Sequence, residues 1–117
     1  MATKHRLGQI GEELATAFLE DQGWQIIDRN YRRKGAEIDI VARDPKRGVV
    51  FVEVKTRKSD SAGSAWESIT ERKMDRIRRG AATWLVESGS YQSVYIDAVV
   101  VEINGGLAHI EHRRSLI

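Results

Sequence analysis

Charged residues interrupt two short stretches that otherwise read as buried strands. Glu37-Ile38-Asp39-Ile40 and Phe51-Val52-Glu53-Val54-Lys55 thread carboxylates and a lysine among Ile, Val and Phe. Buried charges are costly unless something pairs them. Strand side chains alternate between faces, so Glu37, Asp39 and Val41 are expected on one face, with Ile38, Ile40 and Ala42 on the other. In the second stretch Phe51, Glu53 and Lys55 share a face. The loop Asp44-Pro45-Lys46-Arg47-Gly48 between them has strong turn chemistry. Centring the hairpin on Lys46 sets Asp39 opposite Glu53 and Glu37 opposite Lys55. Opposed β-carbons lie about 4.5–5.5 Å apart, and like charges so placed destabilise a sheet. A divalent cation between the carboxylates resolves the conflict. Asp and Glu oxygens without soft ligands suit Mg²⁺ or Mn²⁺. Lys55, two residues from Glu53, would point into the same site, where its ammonium can position an attacking water and offset charge growing on a phosphate. The set suits hydrolysis of a phosphodiester. No Ser/His/Asp arrangement suits acyl transfer. The plainer alternative is an exposed cross-strand ion-pair network of little energetic value, since Glu-x-Lys alone is a common tripeptide.

The elements that must hold these groups follow from periodicity. Leu7, Ile10, Leu14 and Phe18 recur at helical spacing and predict a helix over Leu7–Asp21, with Gly23 at its end. Glu12 and Glu13 are its candidate inward carboxylates. They lie about 100° apart around the helix, and periodicity does not choose between them. Trp24–Asp28 reads as a first strand and Asn30–Gly35 as a basic connection. The hairpin strands span Ala36–Arg43 and Val49–Thr56, and Arg57–Ser64 reads as a polar loop. A second helix is expected over Thr70–Glu87, with Met74, Ile77, Ala81, Trp84 and Leu85 as its apolar stripe. Val94–Ile103 and Leu107–Glu111 follow as strands joined at Asn104-Gly105-Gly106. The fold class expected is α/β, a central mixed five-stranded sheet flanked by helices, in the order α-β-β-β-α-β-β.

The chain has 117 residues, enough for one domain over 1–117. Its charged fraction of 31% and hydrophobic fraction of 41% fit a folded globule. With no cysteine, disulfides and thiolate metal sites are excluded. No apolar run reaches the length of a membrane span, and the basic segment Met1–Arg6 lacks the apolar stretch of a signal peptide. The expected location is cytoplasmic, with no membrane partner. Net charge is only +2, which permits a polyanion partner without requiring one.

The residues Gly8-Gln9-Ile10-Gly11-Glu12, Arg29-Asn30-Tyr31, Glu37-Ile38-Asp39-Ile40 and Phe51-Val52-Glu53-Val54-Lys55-Thr56-Arg57 together resemble the YraN-like family of small bacterial proteins. Lys73 and Asp97 match as well, so the resemblance spans nearly the whole chain in order. That family's fold is similar to restriction endonucleases and archaeal Holliday-junction resolvases. The resemblance implies a metal site of Asp39 and Glu53, with Lys55 as the catalytic lysine and Glu12 as the helix carboxylate. It also implies a Mg²⁺-dependent (or Mn²⁺-dependent) endonuclease acting on nucleic acid, DNA before RNA, and by analogy with resolvases a homodimer. One departure is visible: Ala36 stands where the family usually has glycine. The alternative in a different class is a nucleic-acid-binding module without turnover; a third is a protein-interaction domain with neither activity.

Candidate backbone contacts are Arg32, Arg33 and Lys34 near Asp39, and Lys73 and Arg76 on the second helix, against the ordinary reading of a solvated charged face. Tyr31 is expected as a partly buried aromatic rather than as a stacking surface for a base. Trp24 and Trp84 are expected in the core, and Trp66 is open between core and nucleic-acid contact. His5, His109 and His112 are expected at the surface. Asp97, inside an apolar strand, is expected to be a structural hydrogen-bonding group.

Overall fold

A computed structural model describes residues 3–116; Met1 and Ala2 of the basic N-terminal segment, and Ile117, lie outside the described residues. The Thr3 hydroxyl accepts a hydrogen bond from the Arg6 N–H at 3.1 Å and so caps α1 (Lys4–Asp21), satisfying one of the donors that a helix start leaves open. β1 (Gln25–Arg33), β2 (Ala36–Asp44) and β3 (Gly48–Lys58) follow. A short 3-10 turn over Ala65–Ser68 leads to α2 (Glu71–Ser88), capped by Thr70, and then to β4 (Tyr95–Asn104) and β5 (Leu107–Arg113). The strands form one sheet in the order β1-β2-β3-β4-β5. All neighbours are antiparallel except β3 and β4, which run parallel across the α2 crossover, as a parallel pair requires. The expected α/β architecture, a mixed five-stranded sheet with two helices, is the one found. Among the described residues no helix is long and apolar enough to cross a membrane.

Each sheet face carries its own core. Under α1, Ala15, Leu19 and Trp24 pack on Ile40, Ala42, Val50, Val52, Val99 and Val101. Under α2, Met74, Ile77 and Ala81 pack on Tyr31, Ile38, Val41, Val49, Phe51 and Ile96, with Trp84 edge-on to Phe51 at 5.8 Å. Covering the middle strands on both faces explains their nearly continuous Val/Ile character. Each such side chain contributes about 1.5–3 kcal/mol on burial.

Two glycines set how closely the helices approach. A β-carbon on Gly11 would sit 1.7 Å from Thr56 Oγ1, and one on Gly80 would sit 2.8 Å from an Ile38 side-chain carbon. Only hydrogen fits at either point. α1 therefore touches β3, and α2 touches β2, close to the charged end of the hairpin.

β1 is longer than expected. Asn30 does not end the strand; it takes a left-handed φ of 52° within it, a conformation that asparagine tolerates better than most residues. The consequence is a change of face. Arg29 reaches Glu13 on α1, whereas Tyr31 lies in the α2-side core. Their β2 partners change face in step: Ile40, opposite Arg29, lies under α1, and Ile38, opposite Tyr31, lies under α2. The expected alternation in which Ile38 and Ile40 share a face is thus broken, and the break falls at Asp39.

Candidate active site

The expected hairpin register holds near the turn, but the two pairs that mattered for the site, Asp39 with Glu53 and Glu37 with Lys55, do not form. Val41 pairs with Phe51 and Ile40 with Val52, after which the ladder stops. Asp39 is therefore not a ladder partner of Glu53. Freed by the face change, its carboxylate turns onto the next part of β3 and accepts the Val54 N–H at Oδ2, 2.7 Å away. A side chain takes the backbone donor that the interrupted ladder leaves open.

Asp39 lines a cleft of about 1310 Å³ whose walls also carry Glu12, Lys55, Arg29, Arg32 and Lys73. Cationic side chains outnumber carboxylates around it, and Arg6, Arg57 and Lys58 extend the basic rim. α1 contributes Glu12, brought in by the Gly11–Thr56 contact one residue away. Between the two helix candidates the structure discriminates: the Glu12 side chain is 14% exposed, while that of Glu13 is 69% exposed. Glu53 does not itself line the cleft. Its side chain is 12% exposed and lies 3.6 Å from Lys73 Nζ.

The electrostatics are strained. Burial, and then the neighbouring Glu53 charge, push the Asp39 carboxyl up to about 8. Burial also raises Glu53, although Lys73 pulls it back, and it raises Glu12 against the pull of Arg29. Glu12 Oε1 is buried with no hydrogen-bond partner. A hard divalent cation fits this donor set, which is carboxylate oxygen without sulfur or imidazole, and the orphaned Glu12 oxygen is the sort of atom an ion satisfies. Yet among the described residues no three His, Cys, Asp or Glu side chains are gathered closely enough to hold an ion as they stand. Two of the acids are instead held by cations: Glu53 by Lys73, and Glu12 by Arg29 at 3.6 Å.

The five basic residues expected to contact nucleic acid divide. Arg32 and Lys73 line the cleft; Arg33, Lys34 and Arg76 are not among its lining residues. Arg33 pairs with Glu87 at 3.0 Å and stacks on Tyr31 at 4.2 Å, and Arg76 reaches Glu37 at 3.0 Å. Arg6, Arg29, Arg57 and Lys58 also line the cleft, though the sequence reading does not name them as nucleic-acid contacts. Arg57 and Lys58 continue β3 beyond Lys55, so a longer strand would have suggested them. Arg57 also donates to the Ser61 and Gly63 carbonyls, both at 2.8 Å, which fixes the loop at the cleft rim.

Elsewhere the structure corrects one expectation and meets another. His112 is not at the surface: its side chain is 7% exposed, lies edge-on to Trp24, and sits 2.7 Å from Asp97. Asp97 is the structural group expected, fully buried and gripped by both terminal nitrogens of Arg47 at 2.9 and 2.6 Å. Trp66 is partly buried beneath the Arg113 guanidinium, 3.9 Å from its ring centre.

Residues 11–101 match the model of a family described as Uncharacterised protein family UPF0102. A UPF0102 protein of Beutenbergia cavernae is 42% identical, over 99% of both chains. One from Renibacterium salmoninarum is 43% identical, also over 99% of both, and one from Pelobacter propionicus is 44% identical over 90% of this chain and 77% of its own.

Proposed function

This chain belongs to the UPF0102 family, the YraN proteins, and we propose that it is a metal-dependent endonuclease that hydrolyses nucleic-acid phosphodiester bonds, with DNA the favoured substrate. The observation that carries the reading is the buried Asp39, repelled by the neighbouring Glu53, in the wall of a cleft that also holds Glu12 and Lys55 and is rimmed by cations.

Asp39, Glu53 and Glu12 would hold Mg²⁺ or Mn²⁺. When bound, the ion supplies Lewis-acid polarisation of the phosphate. Lys55 lies in the cleft wall two residues from Glu53 and carries the charge to stabilise an oxyanion growing on phosphorus. The Val54 N–H fixes one Asp39 oxygen, Oδ2. The basic rim draws in the phosphate backbone, an attraction that weakens with salt.

The test is a cleavage assay in Mg²⁺ and in Mn²⁺ over single-stranded, double-stranded, flapped and four-way-junction DNA. Glu53→Ala and Lys55→Ala are expected to lose at least about a hundredfold of the rate, the scale of one lost charge-stabilising group, with unchanged circular dichroism. Variants as active as wild type would remove the assigned site. A second reading, a binding module without turnover, draws on the absence of a ready three-acid cage among the described residues. It predicts gel shifts with no cut product in either metal.

A further inference from the structure

Arg29 and Lys73 enter the cleft from different elements, β1 and α2, and each sets its charge against one of the acids assigned above to the ion. Neither pairing is complete. At 3.6 Å each is a contact of charges outside good hydrogen-bond distance. Arg29 rests chiefly on the exposed Glu13, at 2.8 Å. Its Nε is buried with no hydrogen-bond partner, and so is Glu12 Oε1. Lys73 is 43% exposed on its side chain, so little packing opposes its movement. The Arg29 fork thus has an unused donor beside the cleft, in a shape that matches two oxygens of a phosphate.

Resting on the reading of this cleft as a metal and nucleic-acid site, we infer that Arg29 and Lys73 are exchange counter-ions. They neutralise Glu12 and Glu53 in the ion-free protein, and they turn to the phosphodiester backbone of the substrate once a divalent cation takes those carboxylates. Two cations and a divalent ion cannot share the same acids without repulsion. The exchange moves each cation to the nearest available anion, which is the substrate. Metal and nucleic acid then bind with positive coupling, and the coupling is reciprocal. Arg29 and Lys73 are positioning residues for this step.

A cycle of binding measurements tests it. Mn²⁺ is titrated calorimetrically into wild type, Arg29→Gln, Lys73→Gln and Arg29→Lys. Each protein is also titrated onto a fluorescein-labelled DNA duplex with a single-stranded tail, in EDTA and in Mn²⁺, with anisotropy as the readout and a gel confirming intact probe. Wild type is expected to bind the probe about tenfold more tightly in Mn²⁺, within the usual range of coupling. The two Gln variants are expected to take Mn²⁺ more tightly than wild type without DNA, since no counter-ion must leave. They should lose most of the Mn²⁺-dependent gain in probe affinity, a larger loss than the one that removing a rim cation causes in EDTA. Arg29→Lys should keep the Mn²⁺ affinity but lose probe affinity in Mn²⁺, because the charge remains without the fork. Weaker Mn²⁺ binding by Gln variants of unchanged melting temperature would overturn the exchange, as would equal loss of probe affinity with and without metal. Wild type that takes both Mn²⁺ and probe without coupling also overturns it. Wild type that takes neither overturns the reading of the cleft on which it rests.

Discussion

Asp97 and Asp39 sit on strands of one sheet, and α1 passes over the surroundings of both, yet their environments are opposite. Around Asp97 every charge is answered. Arg47 grips both oxygens, His112 lies 2.7 Å away, and the Ser115 N–H donates at 2.9 Å. The same Arg47 donates from Nε to Asp44, which also accepts the Lys46 N–H. Burial alone would raise both acids, but these partners outweigh it and hold Asp97 and Asp44 below the ordinary carboxylate range. Around Asp39 the neighbours are other acids, one backbone N–H, and cations that reach Glu12 and Glu53 rather than Asp39 itself. A chain that can satisfy a buried carboxylate so fully at one end of its sheet leaves another, at the opposite end of the hairpin, with one backbone donor and a repelling acid beside it. On the proposed reading, this is the end of the sheet where a ligand would complete the charge.

Removing the satisfied acid is the harshest way to probe this contrast. Asp97→Ala strands Arg47 and His112 in the core and is expected to cost about 3–5 kcal/mol, as when one partner of a buried ion pair is deleted. Urea unfolding at pH 7 reads it as a lower midpoint with an unchanged slope. A cost below about 1 kcal/mol, the range of exposed pairs, would mean that the network is not the lock the contrast requires.

Gly11→Ala acts at the other end. The new methyl overlaps the Thr56 hydroxyl, so α1 must lift from β3 where Glu12 enters the cleft. Overpacking costs about 1–3 kcal/mol, offset in part by the helix preference of alanine over glycine, about 0.5–1 kcal/mol. Chemical shifts of Glu12 and Thr56 should move while those of Asp97 and His112 stay. Uniform shifts across both ends would show that the two regions are not independent.

Much of this was legible in the residues. The hairpin and its register from the turn to Ile40 and Val52 follow from apolar residues around a five-residue turn. The face change was not legible, because Asn30 carries the local signal of a strand's end, and the pairing with β2 turns that signal into a kink within a continuing strand. His112 looked like a terminal surface residue. Only the β4–β5 register, which pairs it with Val99, sets it against Trp24 and Asp97, and no local pattern encodes that. Arg47 read simply as part of a polar turn. Its role depends on Asp97, fifty residues later.

The pH dependence of stability should separate the two regions by sign. Asp97 and Asp44 have lowered folded values, so the unfolded chain binds more protons than the folded one as pH falls past the ordinary value of 3.8. Their contribution is intact above that value and is lost on further acidification. Asp39 is raised to about 8, so between 3.8 and 8 the folded chain holds the extra proton. Stability then declines as pH rises through that window. In EDTA the urea midpoint should therefore peak in mildly acidic solution and drift down toward pH 8. A midpoint flat from pH 5 to 8 would contradict the assignment of unsatisfied charge to Asp39.

The smallest effect is the most specific. Asp39→Asn keeps an acceptor for the Val54 N–H but removes the charge that faces Glu53. In EDTA at pH 8 it is expected to stabilise the fold by up to about 1 kcal/mol, the scale of relieving like charges across strands, and to abolish the downward drift. With Mn²⁺ present the order should reverse. A ligand that binds the folded wild type adds stability by mass action, and the variant, short of one carboxylate, gains less. Asparagine at 39 would then be the better residue for the empty fold and the worse one for the loaded fold. The same exchange at Asp97 is expected to be worse in both conditions, because its partners are built into the chain.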